Sequence, residues 1–254
     1  MLKKARLINI LDLVNRNGII TSTSLANTLG VSDMTIRRDL DELEKNSRLI
    51  RIHGGAESLS YNIKNEIDHE EKQTIHRSEK LEAAEIAASL IEESDSIFLG
   101  SGSTIELMAQ FINLRFIRIV TNSLPVFESF RNKMDSYEVI LIGGNFRPKT
   151  GAFIGGIVQE ALEKLYFSKC FIGVNGIFEE DLYMAGAEEA RSQRIALNNS
   201  VKRYIVADYY KVHRSDFYKF YKLSDVTGII TNKALSAELQ NVYSQYTKMI
   251  ISKN

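Results

Sequence analysis

Residues 22–57 read STSLANTLGVSDMTIRRDLDELEKNSRLIRIHGGAE, and this stretch predicts two short helices joined by a turn. Leu25 and Leu29 are four residues apart and therefore share one face of the first helix. Gly30 supplies the tight turn that follows. The second helix begins after Ser32, a favourable capping residue, and its apolar side chains recur at i, i+4 and i+7 to form one buried stripe. The residues of this stripe are Ile36, Leu40 and Leu43.

The start of the second helix is left facing solvent by this pattern. Thr35 offers a hydroxyl and a methyl group to base edges, and Arg37 or Arg38 can form paired hydrogen bonds with guanine or a phosphate. The alternating polar and apolar run at 48–53 predicts a strand of a small hairpin, or wing. A helix that packs and reads in this way is suited to the major groove of DNA. The predicted DNA-binding residues are Ser32, Met34, Thr35, Arg37, Arg38, Arg51 and His53.

The charge of this region is only weakly positive. Residues 1–60 contain nine Lys or Arg and seven Asp or Glu, a net of +2, whereas the whole chain has 32 of each and sums to zero. Few phosphate contacts per subunit are therefore expected, so binding needs at least a dimer on paired half-sites. The pattern alone is also compatible with an ordinary pair of helices that has arginines on its surface and does not bind DNA. An amphipathic helix that could back the pair contains Leu7, Ile10, Leu11 and Val14.

The run SDMTIRRDLDELE followed by RIHGGA resembles the N-terminal signature of the DeoR family of bacterial sugar-responsive repressors. The resemblance implies a winged helix-turn-helix followed by a sugar-phosphate-sensing domain, related in fold to ribose-5-phosphate isomerase. Asn46-Ser47 stands where the family commonly has a glycine before the wing. Asn tolerates the same backbone conformation, so this departure affects only local rigidity.

Composition excludes several classes of protein. With 254 residues, of which 44% are hydrophobic and 25% charged, the chain is typical of a soluble protein with a small and a larger domain. Asp12 interrupts the N-terminal apolar run, and no run approaches about 18 apolar residues, so a cytoplasmic location without membrane contact is expected. Cys170 is the only cysteine, and the four histidines lack ligand spacing. Neither a metal site nor a cofactor is predicted.

The chain divides at a polar segment without a clear period, residues 58–78. We predict a DNA-binding domain at 1–57, a linker at 58–78 and an effector domain at 79–254. In the last, helices and strands alternate, which predicts an α/β fold with a mostly parallel sheet covered on both faces. The expected strands are 96–99, 116–121, 137–142, 169–174, 203–207, 228–231 and 248–251. The expected helices are 79–92, one that ends at Phe111, 125–132, 157–165, 188–198 and one between the last two strands.

Small and polar residues follow the predicted strands, at the edge where parallel sheets bind ligands. Gly100 and Gly102 let backbone amides approach a ligand, and the hydroxyls of Ser101, Ser103 and Thr104 lie at a helix start, which suits a phosphate. Later strands are followed by Asn122-Ser123, Gly143-Gly144, Asn175-Gly176, Asp208 and Lys211. The amides of Asn122 and Asn175 and the hydroxyl of Ser123 can bind sugar hydroxyls. Lys211 adds a positive charge.

Each of these features alone also has a structural interpretation. The GSGST loop can be a capped tight turn, Gly143-Gly144 a simple turn, and Lys211 a solvated side chain. Glu188-Glu189 at a helix start can offset the helix dipole. Arg147 is expected at the surface. Their placement at consecutive strand ends favours a site.

The order of these loops also resembles that of the DeoR effector domain. The resemblance implies an effector site formed by Ser101, Gly102, Ser103, Thr104, Asn122, Gly143, Gly144, Glu189, Asp208 and Lys211. Two positions depart from the family pattern: Gly100 stands where Asp is frequent, and Tyr209-Tyr210 replace two small serines. The runs IFLGSGSTIELM, TNSLPVF and EIDHEEKQT resemble the branch that controls lactose use and responds to tagatose 6-phosphate.

The predicted function is therefore that of a repressor of a sugar-utilisation operon, for lactose or galactose, released by a phosphorylated sugar. Its expected partners are operator DNA, the effector, with tagatose 6-phosphate as the candidate, and further copies of the chain in a dimer or tetramer. An alternative is a sugar-phosphate isomerase with a DNA-binding head, in which Asp208, Glu189 and Lys211 supply acid-base chemistry. A third is an oligomerisation module without a ligand, which the polar strand ends disfavour.

Overall fold

The computed structural model describes residues 2–46, 48–52, 54–58, 67–133 and 137–251. The chain separates into two compact units, Met1–Glu66 and Ile67–Asn254, each with its own hydrophobic core. Within the described ranges, every helix is too short or too polar to cross a membrane.

The first unit is a winged helix-turn-helix, as predicted. Its helices are α1 (Lys3–Asn17), α2 (Ser22–Leu29) and α3 (Asp33–Lys45). Its strands β1 (Ile19–Thr21), β2 (Ile50–Ile52) and β3 (Gly55–Glu57) form an antiparallel sheet in the order β1-β3-β2. The predicted stripe of α3 is buried against Leu25, Ile10 and Val14. Ser32 caps α3, since its Oγ accepts a hydrogen bond of 3.2 Å from the Thr35 amide.

The Gly-Gly pair in the wing has two separate causes. Gly54 has a φ of 78°, which a glycine adopts without steric cost. Gly55 lies where β3 approaches β1 so closely that a Cβ atom would be 2.3 Å from the Ile20 carbonyl oxygen. His53, one of the predicted DNA-binding residues, lies outside the described residues.

A buried ion pair joins α1 to α3. Asp39 is 2% exposed and accepts hydrogen bonds from Arg6 Nε at 2.5 Å and from Arg6 Nη2 at 3.1 Å. Both carboxylate oxygens are therefore bound by one guanidinium, the geometry in which such pairs are strongest. The pair holds α3 in place through the face opposite its exposed arginines.

The second unit is an α/β structure built on a seven-stranded sheet, in the order β15-β14-β12-β9-β4-β5-β6. Every pairing in this sheet is parallel, which confirms the predicted α/β class. The strands of this sheet are β4 (Ser96–Leu99), β5 (Arg118–Thr121), β6 (Glu138–Leu141), β9 (Phe167–Gly173), β12 (Ser200–Val206), β14 (Gly228–Ile230) and β15 (Met249–Ile250). The helices are α4 (His69–Thr74), α5 (Arg77–Ala88), α6 (Ser103–Met108), α7 (Leu124–Ser129), α8 (Gly156–Glu163), α9 (Ala187–Asn198) and α10 (Ala237–Tyr243).

Side chains of the central strands alternate between two layers of core. Phe98 packs on one face of the sheet with Ile172, whereas Leu99 packs on the other face with Phe171. Cys170 lies in the first layer, fully buried, and burial raises the pKa of its thiol. The cysteine is thus a core residue.

Five further strands were not predicted. These are the hairpin of β7 (Asn145–Arg147) and β8 (Ala152–Ile154), and the antiparallel sheet of β10 (Gly176–Phe178), β11 (Asp181–Met184) and β13 (Tyr218–Lys222). With three to five residues each, they are too short to show a clear period. The expected helix at 125–132 is also shorter, because α7 ends at Ser129 and a 3-10 turn follows at Arg131–Lys133.

The segment 58–78, expected to be a linker, overlaps the second unit. It contains α4 and the start of α5, so residues 67–78 belong to the second unit. The polar composition of 58–78 suggested a linker. However, His69 within this segment is only 7% exposed, and Lys80, two residues beyond its end, is only 4% exposed. Polar side chains that find partners in a fold do not mark a solvated segment.

The strand order reverses between β4 and β9, which is the point where open parallel sheets bind ligands. The two strand ends are in close contact there. A Cβ atom on Gly173, the last residue of β9, would lie 2.9 Å from the Ser101 carbonyl oxygen. Ser101 and its neighbours therefore lie at the expected ligand-binding edge of the sheet.

Replacing Gly55 by alanine should destabilise the first unit by about 2 kcal/mol, because the added Cβ overlaps the Ile20 carbonyl. Hydrogen exchange of the α3 amides in increasing urea measures this loss. Gly30→Ala is the control: Gly30 has a φ of 65° but open space around it, so only strain of about 1 kcal/mol is expected. Equal effects of the two substitutions would contradict the close approach of β3 to β1.

Replacing Arg6 by alanine should cost about 3 kcal/mol of the unfolding free energy of the first unit, because it leaves the Asp39 carboxylate buried and unpaired. Urea unfolding of the full chain followed by α3 amide exchange measures it. Arg16→Ala is the matched control, since Arg16 is 74% exposed and pairs with Asp12 across one turn of α1. A loss below about 0.5 kcal/mol is expected there.

Candidate functional site

The N-terminal end of α3 presents the residues predicted to contact DNA. Met34 is 65% exposed, and Arg37 and Arg38 are exposed beside it. Ser32 Oγ and Thr35 Oγ1 lie 2.9 Å apart, so the capping interaction also orients the Thr35 hydroxyl. Arg37 Nε donates to Asp33 at 2.7 Å, an exposed pair that a phosphate could replace at little cost.

Arg51 connects the wing to α3. Its Nε lies 3.3 Å from Asp41 Oδ1, and its backbone amide donates to Glu44 Oε1 at 2.8 Å. Arg51 therefore helps to orient the wing in the free chain, a role the sequence analysis did not foresee.

In the second unit, predicted site residues converge on the carboxyl edge of the sheet. Ser101 follows β4, Asn122 follows β5 and Asp208 lies just beyond β12, and all three are buried. β9 alone separates β4 from β12, so the ends of these strands lie two strand spacings, about 10 Å, apart. A phosphorylated sugar can bridge that distance.

A buried polar cluster surrounds Ser101. Its hydroxyl donates to Glu189 Oε1, and Gln193 Nε2 donates to Ser101 Oγ at 3.3 Å. Arg147 Nη1 lies 3.6 Å from Glu189 Oε2, so Arg147 belongs to this cluster, whereas a surface position was expected. Glu189 is 8% exposed and thus does more than offset the dipole of α9.

Gln193 accounts for the glycine at position 100, where the family pattern predicts an Asp. A Cβ atom at position 100 would lie 2.6 Å from Gln193 Oε1, so the glutamine amide occupies the space that a side chain there would need. Gln193 is fully buried, and its Oε1 has no hydrogen-bond partner among the described residues. The glutamine therefore supplies an acceptor in place of the carboxylate that is frequent at 100.

Other buried polar atoms at this edge are also unpartnered within the described part of the chain. Buried polar atoms normally have hydrogen-bond partners, so a cluster of exceptions at strand ends indicates a site for a polar ligand. Besides Gln193 Oε1, these atoms are Asn122 Oδ1, Asp208 Oδ2 and Thr231 Oγ1.

Several predicted residues have structural partners instead. The Asn122 side-chain amide donates to the Phe153 carbonyl at 2.8 Å, which leaves only its oxygen for a ligand. Ser123 caps α7, and the Asn175 side-chain amide donates to Asp216 at 2.7 Å. Gly144 is required by packing, because a Cβ there would lie 2.9 Å from the Ile154 carbonyl oxygen.

Gly143 and the loop before α6 are less constrained. No atom lies within 4 Å of a Cβ built on Gly143, and Gly102 adopts a φ of 134° just before α6 begins. Ser103 and Thr104, at the start of α6, are both 7% exposed.

Cations gather around Asp208 on the β12 side of the edge. Burial lowers the pKa of Lys211 to about 8, an effect that Asp208 opposes and the nearby Lys72 and Lys80 reinforce. Burial likewise lowers the pKa of Lys80. Three lysines close to one carboxylate produce a local excess of positive charge, which favours an anionic ligand.

Sequence reasoning missed Lys72 and Lys80 because both lie in or next to the segment assigned to a linker. The sequence did contain a signal for Lys80. A helix that leads into a parallel strand runs antiparallel to it, so α5, which precedes β4, must begin at the edge of the sheet where β4 ends. Among the described residues, no group of three or more His, Cys, Asp or Glu is placed to hold a metal ion.

Comparisons with known proteins agree with this two-part organisation. Residues 6–62 match the family model of the DeoR-like helix-turn-helix domain, and residues 75–233 match that of the DeoR C terminal sensor domain. The chain is 42% identical over 251 residues to the lactose phosphotransferase system repressor of Streptococcus mutans serotype c, covering 98% of this chain and 100% of that protein. It is 42% identical over 231 residues to the repressor of the same name from Staphylococcus aureus, covering 91% and 92%.

Solved structures show a more distant likeness that concerns the fold alone. Ribose 5 phosphate isomerase A from Neisseria gonorrhoeae aligns with a TM-score of 0.39 and 19% identity over 53% of each chain. The eIF2B beta subunit from Chaetomium thermophilum aligns with a TM-score of 0.45 and 13% identity over 68% of this chain and 54% of that chain.

The close relatives are repressors, so the isomerase alternative loses its support, and the chain is a regulator rather than an enzyme. Because its two units match the DNA-binding and sensor models in their expected order, and because the relatives align along nearly its whole length, the chain belongs to the DeoR family of transcriptional repressors.

Proposed function

We propose that this protein represses an operon for lactose or galactose use in the cytoplasm and is released from DNA by a phosphorylated sugar, with tagatose 6-phosphate as the candidate. Residues 1–57 bind the operator, residues 67–254 bind the effector, and residues 58–66 connect the two in the sequence. The observation that carries the sensor role is the set of buried polar atoms at the carboxyl edge that have no hydrogen-bond partner among the described residues and lie beside a cationic cluster. The names of the relatives, which refer to a lactose phosphotransferase system, support the choice of a lactose operon.

On the DNA side, the proposal rests on the exposed end of α3. Arg37 and Arg38 are exposed there beside Met34, while the opposite face of the helix is buried and held by the Arg6–Asp39 pair. The weak net charge of the first unit limits the phosphate contacts of one subunit. Binding by a homo-oligomer to paired half-sites compensates for this limit.

On the effector side, each proposed residue has a distinct task. Residues 101–104 present hydroxyls and backbone amides to the phosphate, together with the charge of Lys211. The carboxylates of Glu189 and Asp208 and the oxygen of Asn122 accept hydrogen bonds from sugar hydroxyls. Gly143 leaves room at the end of β6, and Gly144 lets the same loop pack closely against Ile154. The effector binds more tightly to the arrangement of the protein that has low affinity for DNA. It must therefore weaken DNA binding by the difference between its binding free energies for the two arrangements, about 1 to 3 kcal/mol.

Alanine at Arg37 or Arg38 should weaken binding to the operator DNA about tenfold or more, because each side chain contacts a base or a phosphate in the proposed complex. Fluorescence anisotropy at several salt concentrations measures the affinity and its salt dependence. Arg16→Ala, on the exposed face of α1, is the control and should bind as the wild type does. Wild-type affinity and salt dependence in both variants would refute the proposed DNA-binding surface.

Calorimetry should detect binding of tagatose 6-phosphate but not of unphosphorylated tagatose, and Lys211→Met should weaken it about tenfold or more. The pH dependence follows from the lowered pKa of Lys211, about 8. Below pH 8 the amine is charged and binds the phosphate dianion, so affinity should fall as pH rises from 7 to 9.5. Lys164→Met, at an exposed ion pair on α8, is the control. Equal affinity across this range, or wild-type binding by Lys211→Met, would exclude the assigned role of Lys211.

A further inference from the structure

The first residues of the second unit, 67–80, contact several loops of the candidate effector site. We call residues 67–80 the connecting segment. It comprises α4, the turn at Ile75 and His76, and the first residues of α5. Nine residues, 58–66, separate it in the sequence from the last strand of the wing.

The first contact joins α4 to α6, the helix that follows the Gly100–Thr104 loop. His69 Nε2 lies 2.8 Å from Glu106 Oε2, and Gln73 Nε2 donates to both Glu106 oxygens at 3.0 and 3.1 Å. Burial raises the pKa of Glu106, but these hydrogen bonds outweigh it and lower the pKa overall. The carboxylate is therefore ionised and holds α4 against α6.

The second contact joins α4 to the β7–β8 hairpin. The His69 amide donates a hydrogen bond of 2.9 Å to the Lys149 carbonyl in the hairpin turn. Arg147, two residues earlier, lies 3.6 Å from Glu189 in the polar cluster around Ser101. One residue of the connecting segment, His69, thus contacts α6 and the β7–β8 hairpin, two elements that each carry residues of the polar edge.

The third contact is with the turn that carries Asp208 and Lys211. The His76 ring stacks on the Tyr210 ring, with centroids 3.5 Å apart and planes inclined by 15°. His76 has a φ of 52°, a conformation that is uncommon outside glycine. Asp208 fixes the turn by accepting a hydrogen bond of 3.0 Å from the Tyr210 amide.

Charge links the same elements. Lys80 Nζ donates to the Lys72 carbonyl, and both lysines lie close enough to the Asp208–Lys211 turn to shift the pKa of Lys211. A phosphate dianion at this edge would attract Lys72, Lys80 and Lys211 together. Lys72 and Lys80 lie on the connecting segment and Lys211 lies on the turn that meets it at the His76–Tyr210 stack, so such a ligand would attract both sides of that contact.

We propose that the connecting segment is the element through which the effector controls the DNA-binding unit. Effector bound at the carboxyl edge repositions it at the His69–Glu106 and His76–Tyr210 contacts, and this change lowers the affinity of the first unit for DNA. This inference rests on the proposed function, because it requires that a sugar phosphate weaken DNA binding. It assigns to His69, Gln73 and His76 a role in coupling rather than in DNA contact.

The test compares full-length wild type with His76→Asn, His76→Phe, Gln73→Ala and Glu106→Gln. Asn tolerates the positive φ but removes the ring, whereas Phe keeps the ring stack. Promoter affinity is measured by anisotropy with and without saturating tagatose 6-phosphate, and effector affinity without DNA by calorimetry. Glu70→Gln, an exposed position on α4, is the matched control.

In wild type and Glu70→Gln, effector should weaken promoter binding about 5-fold to 150-fold. His76→Asn and Glu106→Gln should reduce this ratio at least 5-fold while effector still binds, and His76→Phe should retain most of it. If every variant keeps the wild-type ratio, the coupling role is refuted and the proposed function stands. If the wild type shows no effect of sugar phosphates on DNA binding, the proposed function fails and this inference fails with it.

A variant could lose the effect of the effector simply because it does not fold, and the same set of variants separates this outcome from a loss of coupling. Circular dichroism and thermal unfolding of each variant identify any that does not fold. Gln73→Ala leaves the His69–Glu106 pair in place and removes only part of the α4–α6 contact, so it is expected to fold. An unchanged ratio in Gln73→Ala together with His76→Asn overturns the inference even if Glu106→Gln does not fold.

Discussion

Parallel pairing of β4 with β9 is the constraint on which the rest of the second unit depends. The strand order reverses there, and the two strand ends approach so closely that Gly173 admits no side chain beside Ser101. One helix, α9, brings both Glu189 and Gln193 to the same point. A change in this pairing would separate the residues of the candidate site, although each would keep its own local structure.

The candidate site contains groups that are costly in the free protein. Buried acceptors that lack a partner in the described part of the chain, and lysines whose pKa is lowered by burial, both reduce stability unless something binds them. Such groups persist where function requires them. A phosphorylated sugar offers hydroxyl donors for the acceptors and negative charge for the lysines. Binding of the proposed effector would therefore offset the local cost.

The first unit depends on rigidity of a different kind. Arg6 and Asp39 hold α3 to α1, and Gly55 lets the wing pack against β1, so the exposed end of α3 has a fixed orientation. Its weak net charge limits the phosphate contacts that one subunit can make. In the proposed function, this limit is offset by several subunits on paired half-sites, and release requires a change between subunits or domains rather than in the side chains that touch DNA.

By itself, the sequence determined the helix-turn-helix, the parallel sheet and the polar strand ends, because each follows from spacing within about 20 residues. Ser32 as a cap and the buried stripe of Ile36, Leu40 and Leu43 are as the sequence predicts. Only the tertiary structure decided that Asp39 binds Arg6, 33 residues away, and that Gln193 binds Ser101, 92 residues away. It also placed residues 67–78 against the site, where polarity had suggested a linker. Such contacts join residues whose proximity is set by strand order, and no local pattern of side chains records that order.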